Sequence, residues 1–181
     1  MSLGEKDDEI WDLYDAERIK TGKTHRRGDP MREGEWHLVV NVCIFNDRDE
    51  MLIQKRQPWK KGWPGFWDLS AGGSAETGDT SKMAAEREVK EELGLDIDLS
   101  DNQAVFTVNG KNAYNDYYLV EMPKLKLEEC DLQEEEVADV MWADKDTIIR
   151  MIEENKFVSY HKGVVDLWFT MRTERGNISR K

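Results

Sequence analysis

Residues 72–95 read GGSAETGDTSKMAAEREVKEELGL. Two glycines lead into a polar turn, and a helical pattern then runs from about Thr80 to Leu93. Asp79, Thr80 or Ser81 supplies a side-chain oxygen to cap its first turn. Gly94 fits the left-handed residue just past the last turn, with Leu95 closing the hydrophobic contact. Positions three and four apart share a helix face, so Ala85, Val89 and Leu93 form an apolar stripe. Glu88, Glu91 and Glu92 are neighbours beside it, with Arg87 among them. Like charges at this spacing, close to the negative end of the helix dipole, weaken a helix by a few tenths of a kcal/mol per pair. A solvated charged face is one account of them. A bound divalent cation is the other, and hard carboxylate oxygens without His or Cys point to Mg²⁺ or Mn²⁺.

Upstream, residues 9–23 alternate apolar and polar around Trp11, Leu13 and Ile19, which predicts a hairpin turning at Thr21-Gly22. Residues 24–35 read as loop. Residues 36–46, WHLVVNVCIFN, form a strand apolar on both faces, and 50–56, EMLIQKR, form a second. A loop with Pro58, Pro64 and several aromatics leads to a short strand, WDLSAGG. Downstream, residues 103–110, 115–123 and 134–144 each contain a strand. Two helical patterns close the chain, one with Ile148, Ile149 and Ile152 on a stripe, the other with Val164, Leu167, Trp168 and Met171. This order predicts an α/β fold with a mixed sheet covered by helices.

The chain has 181 residues, 38 acidic and 26 basic, for a net charge of −12. That balance excludes nucleic-acid backbone binding as the main activity, and an anionic substrate would need a metal or a local basic cluster. The two cysteines, Cys43 in an apolar run and Cys130 in an acidic loop, argue for a reducing cytoplasm rather than a disulfide framework. No run approaches the roughly 18 apolar residues of a membrane span. The polar start lacks a secretory core, and Met1–Leu3 read as a cloning remnant.

The spacing Gly73, five residues, Asp79, seven residues, then Arg87-Glu88-Val89-Lys90-Glu91-Glu92-Leu93-Gly94-Leu95 resembles the Nudix box, G-x5-E-x7-R-E-U-x-E-E-x-G-U with U apolar. A chance match in a chain of this length is on the order of one in ten thousand or rarer. Asp79 stands where the family has Glu. The resemblance implies a Nudix α/β/α sandwich over residues 36–181, with residues 1–35 as an N-terminal extension carrying the β-hairpin. It implies hydrolysis of a diphosphate linked to another moiety, with Mg²⁺ or Mn²⁺ held by Glu88 and Glu92, assisted by Glu91 and the carbonyl of Gly73. Arg87 then holds the loop by pairing with Asp79; helix capping is the other reading of Asp79.

Phosphate needs cations, and Lys55 and Arg56 end a strand next to the aromatic loop. Alternation lets only one of them face the site, and the bidentate Arg56 is the better choice. Glu136, ahead of a strand, is a candidate general base. Trp59, Trp63, Phe66 and Trp67 either stack on a base or pack as core and lid, and His37 reads as a hydrogen-bonded structural residue. Residues 34–73 also resemble isopentenyl-diphosphate isomerase, a Nudix-fold enzyme whose chemistry uses a Cys and a His that residues 70–74 lack. A nucleotide-sensing, non-catalytic module is the remaining alternative. The expected partner is a small-molecule diphosphate. The hairpin either covers a sheet edge or pairs two copies as a homodimer.

Overall fold

A computed structural model of the chain describes residues 9–173, 175, 176 and 178; Met1–Leu3 lie outside them. The strands are β1 Ile10–Tyr14, β2 Lys20–Arg26, β3 His37–Phe45, β4 Met51–Arg56, β5 Trp67–Asp68, β6 Ala71–Ser74, β7 Phe106–Asn109, β8 Ala113–Glu121 and β9 Val137–Ala143. The α-helices are α1 Ser81–Leu93, α2 Lys145–Glu153 and α3 Lys162–Met171. β1 and β2 form a separate hairpin. The other strands make a seven-stranded sheet in the order β5-β4-β3-β8-β7, with β6 on β3 and β9 on β4. β3 runs parallel to β8 and antiparallel to its other partners, so the sheet is mixed.

The continuous apolar run of β3 is explained by cover on both faces. Leu38, Val40, Val42 and Ile44 pack with Ala84, Ala85, Val89 and Leu93 of α1. Cys43 and Phe45 point the other way, into a cluster with Ile148 and Met151 of α2 and Val165 and Trp168 of α3. The result is an α/β/α sandwich. β3 meets β4 in register only at Phe45 and Met51. Each strand then takes a different neighbour, β6 for β3 and β9 for β4, which leaves a cleft between the two pairs.

Several elements differ in detail from the sequence expectation. The hairpin turns at Asp15–Ile19, where Asp15 accepts from the Ile19 and Glu17 amides and Arg18 takes a φ of 61°. Thr21-Gly22 instead lies within β2, which extends to Arg26. The expected WDLSAGG strand is two short ones, because Ser70 turns inward: its hydroxyl donates to the Leu52 carbonyl and accepts from the Ile44 amide. On α3 the buried pair is Val165 and Trp168, while Leu167 is 40% exposed.

The hairpin packs within its own chain. Tyr14 bridges to Trp36 and joins the α1-side core. Trp11 stacks on His37, with ring centroids 4.2 Å apart and planes 13° apart. Among the described residues His37 Nδ1 finds no hydrogen-bond partner, and stacking and burial hold the ring. Among the described residues no helix is long and apolar enough to cross a membrane.

Burial, with the nearby charges of His25 and Arg27, lowers the His37 pKa from 6.5 to about 4. The folded chain therefore keeps His37 neutral where the unfolded chain takes up a proton. This costs no stability above pH 6.5, and the penalty grows as pH falls toward 4. His37→Phe keeps a stacking ring and removes the proton site. Its urea midpoint is expected to fall less than the wild-type midpoint between pH 7 and pH 5. An identical fall in both proteins would contradict this.

Candidate active site

The site is built where α1 lies against β6. Thr80 caps the helix, its hydroxyl accepting from the Met83 amide. Gly94 ends it with a φ of 69°, its amide donating to the Lys90 carbonyl. A side chain at Gly94 would be strained, and its Cβ would lie 2.6 Å from Asp131 Cβ. The next loop crosses close by, because the amides of Asp131 and Gln133 donate to the carbonyls of Leu93 and Glu92. This brings Gln133 and Glu136 over the acidic face of the helix.

A cavity of about 210 Å³ opens there. Glu88, Glu91, Glu92, Gly72 and Gly73 line it on the helix side, and Arg56, Lys60, Gln133 and Glu136 line it across the cleft. Gly73 has ordinary backbone geometry and needs to be glycine for space: a Cβ would fall 2.6 Å from the Glu88 carboxyl carbon. Glu92 is 7% exposed; its Oε2 accepts from Gln54 Nε2 at 2.8 Å and from the Gly72 amide at 3.1 Å. Burial raises the Glu88 pKa to about 7, with the charges of Glu91 and Glu9 adding to it and Arg87 opposing. Burial and then the Glu88 charge hold Glu92 well above the usual carboxylate range, against the two hydrogen bonds.

Arg87 offsets part of the charge crowding that the sequence leaves unbalanced. Its guanidinium lies 2.9 Å from Glu88 and 3.6 Å from Glu91, and donates to the Ser74 carbonyl at 3.1 Å. It reaches Asp79 Oδ2 directly, from Nε at 3.3 Å and Nη2 at 3.1 Å. The shorter Asp79 side chain thus needs no bridging water, and the cap position falls to Thr80.

The two strand-end cations separate. Arg56 lines the cavity, its Nε donating to the Gly62 carbonyl at 3.0 Å and its Nη1 to Asp68 at 3.3 Å. Asp68 is held in turn by Tyr160, whose hydroxyl donates to it at 2.9 Å. The structure does not bring Lys55 into the cavity; its ammonium sits 6.0 Å from the Trp67 ring centroid. Lys60, 7% exposed, enters instead and pairs with Glu136. Its position inside an aromatic loop carries no periodicity from which that inward turn can be read. Trp59 and Trp63 are 49% and 45% exposed. Glu9 and Arg27 also line the cavity, and the sequence offers no signal for either because both belong to the hairpin.

Among the described residues no three Asp, Glu, His or Cys side chains already stand as a ligating cluster. Each acid instead faces a group of the chain: Glu88 faces Arg87, Glu92 faces Gln54, and Glu136 faces Lys60. The donor set nonetheless suits a hard divalent cation. Glu92 is buried beside Glu88, whose charge raises its proton affinity; a positive ion relieves that crowding, and all the donors are oxygen.

The NUDIX domain model matches residues 35–167. An uncharacterized Nudix hydrolase of Listeria innocua is 49% identical over 152 residues, which cover 84% of this chain and 89% of that protein. The isopentenyl-diphosphate Delta-isomerase of Escherichia coli is 24% identical over 147 residues, covering 78% and 80%. The crystal structure of DR0079 from Deinococcus radiodurans superposes with a TM-score of 0.73 at 21% identity, covering 87% of this chain and 98% of that one. Gly73→Ala tests the packing of the site. The new methyl displaces a flexible carboxylate tip, so the melting temperature is expected to stay near wild type. Turnover of a phosphate-containing substrate is expected to fall on the order of a hundredfold from a misplaced Glu88. Near-wild-type turnover would mean that Glu88 need not sit against β6.

Proposed function

The chain belongs to the Nudix hydrolase family, whose enzymes act on acid anhydrides in phosphorus-containing substrates, and on that premise we propose a pyrophosphohydrolase that depends on Mg²⁺ or Mn²⁺. It cleaves the diphosphate linkage of a nucleoside diphosphate derivative or a similar small molecule. The observation that carries this reading is the convergence of buried Glu92 and half-buried Glu88 on one cavity with Arg56 and Lys60. In a chain of net charge −12, that cavity joins a cation-binding acid pair to two phosphate-binding side chains.

Glu88, Glu92 and Glu91, with the Gly73 carbonyl, are the groups that would hold the metal. When bound, it neutralises charge on the phosphoryl oxygens and makes water more acidic. Arg87 fixes Glu88 and ties the helix to Asp79 and Ser74. Arg56 is held in place through Asp68 and presents its remaining donors to phosphoryl oxygens. Lys60 has a second task. A phosphoryl oxygen that takes its ammonium leaves Glu136 open to accept the proton of the attacking water.

Isomerase chemistry has no cysteine to use in this cavity. Cys43 is fully buried on the α2–α3 side of the sheet, where burial raises its thiol pKa, and Cys130 is not among the lining residues. Phosphate release from a panel of diphosphates with Mg²⁺ or Mn²⁺ tests the proposal, and saturable binding without turnover would favour the sensing module. Glu92→Gln removes a charge but little volume. It is expected to lower turnover by about 100-fold or more while the circular dichroism spectrum is unchanged. A near-wild-type rate would place the reaction elsewhere.

A further inference from the structure

The hairpin precedes residues 35–167, the stretch matched by the family model, yet it sends two charged side chains into the cavity. Arg27 Nη1 donates to Glu9 Oε1 at 2.7 Å, and Trp11 Nε1 donates to the other Glu9 oxygen at 3.2 Å. The Arg27 amide donates to the Glu9 carbonyl at 2.9 Å, so the open end of the hairpin is closed by both backbone and side chains. The hairpin is also fastened to the loop ahead of α1. Thr77 donates its amide to the Ile10 carbonyl at 2.8 Å, and the Gly78 amide donates to Asp12 Oδ2 at 3.0 Å. Arg27 is therefore presented to the site by a fixed element.

Two ion pairs line the cavity besides the acids of α1, Arg27 with Glu9 on the hairpin side and Lys60 with Glu136. Cations contributed by separate elements suit an anion that carries charge on both sides of its central linkage. Arg27 keeps 33% of its side chain exposed, and a guanidinium fork accepts phosphate oxygens in the geometry in which it holds a carboxylate.

We infer that Arg27 contacts substrate and determines specificity, binding a phosphoryl group of the diphosphate from the hairpin wall of the cavity. Glu9 holds the guanidinium until that group displaces it. The inference rests on the diphosphate reading of the cavity and selects substrates that keep a negative charge on each phosphorus.

Calorimetric titration with imidodiphosphate in excess MgCl₂ tests it, because the P–N–P bridge resists hydrolysis. Arg27→Ala is expected to bind this probe on the order of ten- to a hundredfold more weakly than wild type. Arg27→Lys recovers part of the loss. Glu9→Gln binds as tightly as wild type or tighter, because the carboxylate that competes with phosphate for the guanidinium loses its charge. A purely structural Arg27–Glu9 pair would make Glu9→Gln and Arg27→Ala equally weak, which overturns the inference. Wild-type affinity in Arg27→Ala, with a loss in Arg56→Ala, overturns it and leaves the cavity reading standing. Wild-type affinity in both variants removes the cavity reading as well. Should Arg27→Ala melt early, Arg27→Lys carries the test alone: severalfold weaker binding supports the contact and unchanged binding refutes it.

Discussion

Holding two carboxylates side by side out of bulk water, Glu92 buried and Glu88 half-buried, is the constraint around which this chain is arranged. Removing a carboxylate from water costs several kcal/mol unless partners replace the lost hydration. Gln54 and the Gly72 amide serve Glu92, and the Arg87 guanidinium serves Glu88. Arg87 in turn needs Asp79 and the Ser74 carbonyl, which fixes the turn between β6 and α1. The space for Glu88 exists because the strand opposite it carries no side chain at Gly73. The helix end is fixed by Gly94 and the Asp131–Gln133 crossing, so the Glu136 loop is anchored to the same helix.

The parting of β3 and β4 gives this acid pair something to act on. With the strands in register only at Phe45 and Met51, the cleft beyond can admit a ligand between β6 and β9. The cations on the far wall are held by acids, Arg56 by Asp68 and Lys60 by Glu136. In the proposed reaction an incoming phosphate would exchange partners with side chains already in place, which lowers the ordering cost of binding. The hairpin adds a pair of the same kind, Arg27 with Glu9.

The helix, its apolar stripe and its three acids were legible in the sequence because each rests on local chemistry: a cap, a period and a left-handed glycine. The two-faced cover of β3 was legible for the same reason, since a strand that is apolar without alternation must be shielded from water on both sides. What could not be read depends on contacts distant in sequence. Asp79 reaches Arg87 only because the loop curls back. Lys60 turns inward through a loop conformation that includes Trp63 at a φ of 51°. Thr21-Gly22 carries the stronger turn signal in the sequence, yet Asp15 makes the hairpin turn through its side chain. Glu9 and Arg27 join the site through the tertiary docking of the hairpin, which no residue spacing encodes.

All of this turns on whether the acid pair holds a divalent ion. Titration of the protein with Mn²⁺, followed by the loss of the free-ion electron paramagnetic resonance signal, measures that directly. Saturable uptake is expected, displaced by Mg²⁺ and lost in a Glu88→Gln, Glu92→Gln double variant that remains folded. Equal uptake by that variant, or none by the wild type, would contradict it.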